Sequence, residues 1–281
     1  MFYLLNILIQ MKIILNNNIL HESLRSFNDI GFVPTMGGIH EGHISLIKKS
    51  IKSNKKTIVS IFVNPRQFNN IKDLRSYPVN INKDLTILKK IKKLDFVYIP
   101  SVKDIYKDKK KLHIKIKKND KILCAKHRKG HFEGVLDVMH RLTKLIKPKK
   151  IFMGKKDFQQ LILVKKFIEK RFDAKVIGCK IIRNKNRLAL STRNFLLNKD
   201  ELNNVEKISK TFLKLKNEIK NVKNINKFLQ QSKKKIEIFF NIKVEYLENR
   251  KIKNLSISNK HIGSRIFLSY YYKNIRLIDN F

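Results

Sequence analysis

Short apolar runs alternate with stretches of helical periodicity through the first 190 or so residues. Runs rich in branched and aromatic residues are typical of buried strands, and apolar positions three and four residues apart indicate one buried helix face. Strands that alternate with helices favour a parallel sheet covered by helices. The pattern predicts strands at residues 30–34, 57–63, 96–99, 151–153 and 175–182, helices at 43–53, 82–94, 134–146 and 158–172, and an exposed or hairpin strand at 112–117.

The pattern changes after Asn194. Residues 199–239 have the spacing of two amphipathic helices without glycine, and three strand-like runs follow at 243–247, 266–272 and 275–278. We therefore expect an α/β fold of two domains. The first, residues 1–185, contains the parallel sheet, and the second, residues 186–281, is a smaller C-terminal α+β domain.

The chain carries 63 basic and 22 acidic residues, a formal net charge of +41. Such an excess suggests a nucleic-acid or anionic-membrane partner. The hydrophobic fraction of 42% is enough for a core and excludes a disordered polycation. The excess is spread thinly, consists mostly of lysine and is accompanied by many Asn and Ile residues, which favours an AT-rich coding sequence as its cause. A basic RNA- or membrane-binding protein stays as the alternative.

The cysteines, Cys124 and Cys179, have neither the spacing of a zinc site nor that of a disulfide framework. No apolar run reaches the roughly 18 residues that a membrane helix needs. The first ten residues are apolar but lack a basic start and a cleavage site, and Met11 follows them. We interpret residues 1–10 as a possible extension from an upstream start, and we expect a cytoplasmic protein.

The segment PTMGGIHEGH (34–43) leads from a predicted strand through glycines to His40 and His43 at a helix start. Glycines let the backbone approach a ligand, and a helix N-terminus favours phosphate. Two imidazoles there can donate hydrogen bonds to phosphate oxygens during nucleotidyl transfer. The spacing favours a nucleotide site over a metal pair or two surface histidines.

Two further segments suit a phosphate site. Gly154-Lys155-Lys156-Asp157 lies between a strand and a helix, where a lysine can neutralise phosphate and Asp157 can help to hold Mg²⁺. Asp157 could equally be a helix cap. The hydroxyls and guanidinium of LSTR (190–193) suit phosphate contacts, although a turn that closes a domain has the same composition.

Neutral polar residues follow the predicted strands at 57–63 and 151–153, in FVNPRQF (62–68) and FQQ (158–160). Open α/β sheets bind ligands at strand carboxyl ends, where glutamines can hydrogen-bond a small hydroxy acid. Each glutamine taken singly could also be a solvated loop residue.

These segments together, in order and spacing, resemble the pantothenate synthetase family within the HxGH nucleotidyltransferases. The resemblance extends over nearly the whole chain from Met11 and includes RLIDN (276–280). The matching stretches are GFVPTMGGIHEGHISL (31–46), VSIFVNPRQF (59–68), DLRSYP (73–78), DFVYIPSVKDIY (95–106), RKGHFEGV (128–135), FMGKKDFQQL (152–161) and RLALSTRN (187–194).

The resemblance implies a Rossmann-type domain followed by a lid-like domain, a homodimer, and an ATP-dependent ligase that needs Mg²⁺. Pantoate would attack the α-phosphate of ATP, and the amine of β-alanine would then displace AMP from the pantoyl adenylate. No specific nucleic acid or membrane partner is expected.

The resemblance also implies roles for individual residues. His43 would be the proton donor, with His40 as its partner and Lys156 facing phosphate. Asp157 is the candidate Mg²⁺ ligand. The implied ATP site consists of Met36, Gly37, Gly38, Ile39, His40, Glu41, Gly42, His43, Gly154, Lys155, Lys156, Asp157, Ile182 (through its backbone), Leu190, Ser191, Thr192 and Arg193, and the implied pantoate and β-alanine site of Gln67, Gln160, Asn64 and Tyr77.

Three positions depart from the family pattern. Lys155 stands where the family usually has Glu, Arg66 replaces a typical Met beside the pocket, and Thr192 replaces a Ser while keeping the hydroxyl. The charge reversal at Lys155 puts any ion pair of that Glu in doubt.

Overall fold

The computed structural model describes residues 11–107 and 112–281, so the interpretation of residues 1–10 lies outside it. The described chain forms a six-stranded parallel sheet and a three-stranded antiparallel sheet. The strands are β1 Lys12–Ile14, β2 Ile30–Thr35, β3 Lys56–Ile61, β4 Phe96–Tyr98, β5 Lys150–Gly154, β6 Lys175–Cys179, β7 Lys243–Lys251, β8 Ser264–Tyr272 and β9 Ile275–Asn280. The α-helices are α1 Asn17–Leu24, α2 Glu41–Ser53, α3 Ile71–Arg75, α4 Ile81–Lys89, α5 Val102–Ile105, α6 Leu123–His127, α7 His131–Ile146, α8 Phe158–Ile168, α9 Lys199–Glu218 and α10 Ile225–Phe240.

The parallel sheet has the strand order β1-β4-β3-β2-β5-β6. From β2 the chain proceeds to one side through β3 and β4, then returns to place β5 on the other side of β2. Ligands in open α/β sheets bind where the strand order reverses, outside the carboxyl ends of the strands. The reversal between β2 and β5 therefore brings the segment 36–43 and the segment 155–157 to one crevice.

Alternate residues of the central strands enter two separate apolar cores. Phe32, Ile58 and Ile151 lie on the face covered by α1, α7 and α8. Val33 and Val59 lie on the opposite face, with residues of α2 and α4. Because both faces are covered, these strands carry nearly continuous apolar runs, which is why the sequence pattern predicts them.

The antiparallel sheet also has two apolar faces. Val244, Leu268 and Leu277 pack with residues of α9 and α10. Tyr246 and Phe267 belong instead to the core beneath the parallel sheet, where the Phe267 ring lies 5.7 Å from that of Phe158. The small sheet is therefore packed directly against the start of α8.

The prediction of a strand at residues 112–117 is wrong, because the segment forms no ladder with a described strand. Its alternation has a different cause: Ile116 is buried in the core beneath the parallel sheet, with Ile114 packed against that core. The predicted helix at 82–94 is shorter and ends at Lys89, and the first strand and helix, β1 and α1, were not predicted. Among the described residues, none of the helices has the length and apolar character needed to cross a membrane.

Gly134 in α7 lies directly against the loop that follows β3. A Cβ built at Gly134 would stand 2.1 Å from the carbonyl oxygen of Arg66, which is backbone and cannot rotate away. We expect Gly134→Ala to lower the free energy of unfolding by about 1–3 kcal/mol, measured by urea denaturation.

Gly154→Ala is the matched control, because a Cβ there would meet no heavy atom within 4 Å. We expect it to change the free energy of unfolding by less than about 0.5 kcal/mol. Equal stability of the two variants would contradict the close approach.

Candidate active site

A cavity of about 250 Å³ opens at the carboxyl edge of the parallel sheet, where segments that follow β2, β3, β5 and β6 meet. The structure brings most of the predicted site residues together in its wall. They are Met36, His40, Gly42, His43, Asn64, Gln67, Tyr77, Gly154, Lys156, Asp157, Gln160, Ile182, Leu190, Ser191, Thr192 and Arg193.

The other predicted ATP residues, Gly37, Gly38, Ile39, Glu41 and Lys155, are not in the cavity wall. The amides of Gly38 and Ile39 donate hydrogen bonds of 2.8 and 2.7 Å to the two carboxylate oxygens of Asp84. These two amides are therefore already engaged by a protein carboxylate. Asp84 lies in α4, is buried, and was not predicted as a site residue.

The turn between β2 and α2 requires glycine. Gly37 and Gly38 have φ values of +80° and +63°, a region that other residues rarely adopt. A Cβ at Gly38 would lie 2.1 Å from the Thr192 methyl group. The Thr192 hydroxyl donates a hydrogen bond of 3.2 Å to the Gly38 carbonyl oxygen. The LSTR segment is therefore in direct contact with this turn.

The two histidines stack at the start of α2, with ring centroids 4.1 Å apart. His40 is the N-cap residue, and its Nδ1 accepts a hydrogen bond of 3.0 Å from the Gly42 amide. The His43 Nδ1 is buried and has no hydrogen-bond partner among the described residues. A neutral His43 that leaves this nitrogen without a proton carries the proton on Nε2, where it can be donated to a ligand.

Burial keeps both imidazoles neutral. Burial, together with the neighbouring His40 and the Lys156 ammonium, lowers the pKa of His43 to about 3. Burial also lowers the pKa of His40 to about 4, aided by Lys156 and opposed by Asp157. At neutral pH the pair therefore offers N–H donors, while Lys156 supplies the positive charge. Phosphate charge at this position would raise both pKa values.

The turn Lys155–Asp157 is held by the last strand of the small sheet. Asn280 in β9 donates hydrogen bonds of 2.9 and 2.8 Å to the carbonyl oxygens of Lys155 and Lys156. Asp157 stands at the N-cap of α8, yet its side chain makes no capping hydrogen bond. Asp157 thus occupies the cap position that the alternative expects, but without the capping hydrogen bond, and it also lines the cavity.

The two neighbouring glutamines of α8 have different surroundings. Gln159 is buried and donates to the carbonyl oxygens of Asp120 and Ile122, whereas Gln160 lines the cavity. From the other side Gln67 enters the cavity wall, and its Oε1 accepts a hydrogen bond of 3.2 Å from Asn64.

Asn64 is almost fully engaged by the protein. Its Nδ2 donates to Gln67 and to the Gly134 carbonyl, and its Oδ1 accepts from the Tyr106 hydroxyl. Asn64 therefore orients Gln67. The departure at Arg66 is accommodated outside the cavity wall, where its guanidinium donates a 2.7 Å hydrogen bond to the buried Asp137.

Two polar residues of RKGHFEGV, Arg128 and His131, also line the cavity but have no predicted role. The His131 Nδ1 donates 2.7 Å to the Gln67 carbonyl oxygen, and burial lowers the pKa of His131 to about 3. Sequence reasoning also missed Asn280, although it lies in a stretch, RLIDN, that matches the family. Asp84 had no such signal beyond being an acidic residue on a lysine-rich helix.

The profile of the family described as pantoate-beta-alanine ligase matches residues 10–281. The chain belongs to this family. The pantothenate synthetase of Flavobacterium psychrophilum is 37% identical over 273 residues, which cover 92% of this chain and 93% of that protein. The enzyme of Francisella philomiragia is 37% identical over 269 residues, with 94% and 93% coverage.

Solved structures of the family have the same fold. The pantoate-beta-alanine ligase of Francisella tularensis, complexed with beta-gamma ATP and beta-alanine, superposes with a TM-score of 0.83 at 37% identity, covering 96% of this chain and 97% of that one. The pantothenate synthetase of Thermus thermophilus gives a TM-score of 0.86 at 26% identity, with 96% and 99% coverage. The membership confirms the predicted fold class and the ligase function, and nothing in it supports the RNA- or membrane-binding alternative.

The depressed histidine pKa values predict how stability depends on pH. A histidine with a folded pKa below its unfolded value of 6.5 contributes stability that is complete above pH 6.5 and is lost as the pH falls toward the folded pKa. We expect the free energy of unfolding to fall between pH 6.5 and 5, with His43 accounting for about 1–2 kcal/mol of the loss.

Urea denaturation at both pH values measures this effect. The His43→Gln variant should lose correspondingly less stability than the unaltered protein. An identical pH dependence in the two proteins would contradict a buried, neutral His43.

Proposed function

We propose that this cavity performs both steps of the ligase reaction, with the residues that line it in the roles described below. In the first step an oxygen of the pantoate carboxylate forms a bond to the α-phosphorus of ATP, and the bond to pyrophosphate breaks. In the second step the amine of β-alanine attacks the acyl carbon, the bond to AMP breaks, and the amine loses a proton. Such chemistry depends mainly on positioning and charge stabilisation.

The single observation that carries this proposal is the convergence of His40, His43 and Lys156 with Gln67 and Gln160 around one cavity. Neutral imidazole donors and an ammonium on one side suit the charge that develops on phosphate oxygens. Carboxamides on the other side suit the hydroxyl and carboxylate groups of pantoate.

ATP would occupy the wall formed by the turn after β2, the turn after β5 and the LSTR segment. Met36, Thr192 and Arg193 all line this wall. Gly37, Gly38, Ile39 and Glu41 would act indirectly, since they shape the turn from which His40 and His43 project. Ile182 and Leu190 would contribute through their backbone groups. The Leu190 amide donates a hydrogen bond of 3.0 Å to the Ile182 carbonyl oxygen, which joins the two segments.

Pantoate would be bound by Gln67 and Gln160, and Gln67 would also contact β-alanine. Asn64 would position Gln67 rather than touch substrate. Tyr77 lines the same cavity, and burial raises the pKa of its hydroxyl, so it acts as a neutral donor.

Mg²⁺ would enter with ATP and be held by Asp157. Within residues 11–107 and 112–281 no three His, Cys, Asp or Glu side chains form a metal-binding group. That arrangement fits Mg²⁺, which binds to one or two carboxylates while phosphates and waters complete its shell. Asp157 lines the cavity and makes no capping hydrogen bond to α8, which supports this role. When bound, the ion would neutralise phosphate charge.

We also propose a division near residue 185 into a catalytic domain and a lid-like domain, a homodimer, and a cytoplasmic location. The separate apolar core of α9, α10 and the antiparallel sheet supports the division. The resemblance and membership in the family support the other two proposals.

The central test is mass-spectrometric detection of pantothenate after incubation with pantoate, β-alanine and MgATP. Loss of the His43 donor should reduce kcat by about 10²–10³-fold in His43→Ala. His261→Ala, at an exposed histidine, is the control and should retain full activity. Absence of pantothenate with the unaltered protein would refute the proposed function.

The pantoate subsite is tested separately. Gln160→Leu removes two hydrogen-bonding groups at nearly constant volume, so KM for pantoate should rise about tenfold or more while KM for ATP changes less than threefold. Gln231→Leu, at an exposed position of α10, is the matched control. Equal changes in both KM values would argue against a pantoate-specific role.

A further inference from the structure

A second cavity of about 70 Å³ adjoins the first and shares with it the side chains of Arg128, Arg193 and Lys156. Three arginines reach its wall, the third being Arg276 at the start of β9. Arg276 is neutralised by Glu245, to which its Nη2 donates a 2.6 Å hydrogen bond. The charge balance around the other two arginines is different.

Arg128 donates mainly to uncharged acceptors. Its Nη1 lies 3.1 Å from His131 Nε2, and its Nη2 lies 3.4 Å from the Gln67 carbonyl oxygen. The carbonyl oxygen can only accept, so His131 must donate to it from Nδ1 and accept from Arg128 at Nε2. Burial and the charges of Arg193 and Arg276 lower the pKa of Arg128, while the Asp73 carboxylate opposes this shift.

Asp73 stands between Arg128 and Arg193. Both of its carboxylate oxygens lie 2.9 Å from Arg193 Nη2, and one lies 3.9 Å from Arg128 Nη2. One carboxylate thus serves two guanidiniums, leaving a net positive charge. The Asp73 side chain is 37% exposed, on the short helix α3, so it can turn toward water without crossing the core.

We propose that Arg128 and Arg193 form a two-guanidinium site for the pyrophosphate end of ATP, and that Asp73 is an internal counter-ion that the phosphate oxygens displace. Arg128 thereby joins the ATP site as a binding residue that the predicted set lacks. A phosphate oxygen can take the place of the Asp73 carboxylate because both accept hydrogen bonds from a guanidinium fork. After the first chemical step Asp73 would return and assist release of pyrophosphate.

This inference rests on the proposed function for its ligand, but binding can be measured without turnover. Isothermal titration calorimetry with inorganic pyrophosphate at constant ionic strength gives Kd directly. Because Asp73 competes with the ligand, Asp73→Asn should bind pyrophosphate about fivefold more tightly. Arg128→Gln should bind it at least tenfold more weakly, because a charged donor is lost.

Two exposed residues supply charge-matched controls. Asp200→Asn at the start of α9 and Arg25→Gln at the end of α1 should each leave Kd within twofold, which separates a local effect from the overall field. Thermal unfolding checks that each variant is folded. If Arg128→Gln does not fold, Arg128→Lys keeps the charge without the fork and should weaken binding about threefold.

Weaker or unchanged pyrophosphate binding by Asp73→Asn would overturn the counter-ion role, because a purely structural ion pair would not compete with the ligand. Unchanged binding by the Arg128 variant would overturn its place in the site. A parallel titration with β-alanine tests whether Arg128 binds the carboxylate of that substrate instead. If the Arg128 variant bound only β-alanine more weakly, Arg128 would be assigned to that carboxylate and the inference would be overturned. Pyrophosphate binding as expected, without pantothenate formation, would refute only the proposed function.

Discussion

The buried carboxylate of Asp84 fixes the turn on which the cavity is built. Its two oxygens accept from the amides of Gly38 and Ile39, so the carboxylate and the amides satisfy each other away from water. Burying a carboxylate without such donors is costly. The turn and α4 therefore stabilise each other, and His40, which follows the turn, is placed to cap α2. The stacked position of His43 follows from that cap.

The central strands and helices could be predicted because their burial is evident from the apolar residues within each segment. Strands covered on both faces carry apolar runs, and this identified β2 through β6. The segment 112–117 was predicted wrongly because alternation indicates which side chains face a core and not whether a strand edge is available for pairing. The strand β1 has three residues and one fully buried side chain, Ile14, which is too short a pattern to recognise.

The site was predictable to the extent that its side chains follow strands, as in the segments 36–43 and 154–157. Contacts between distant segments could not be read from the sequence. Asp84 lies 46 positions from Gly38, and Asn280 lies 125 from Lys155, so nothing in local spacing connects them. The net charge did not indicate the site either, because it comes mostly from exposed lysines. Arg128 and Arg193, which lie at the cavities, are half-buried and contribute little to that total.

The hydrogen bonds from Asn280 to the turn after β5 impose an order on assembly. A ribosome releases the chain from its N-terminus, so the parallel sheet can form while β9 is still to be made. Lys156 is then present but its turn is not held. The turn gains its two hydrogen bonds from the small sheet only once Asn280 lies beside it. The catalytic geometry thus depends on a residue 125 positions beyond the turn that it holds, so the parallel sheet alone does not complete the active site.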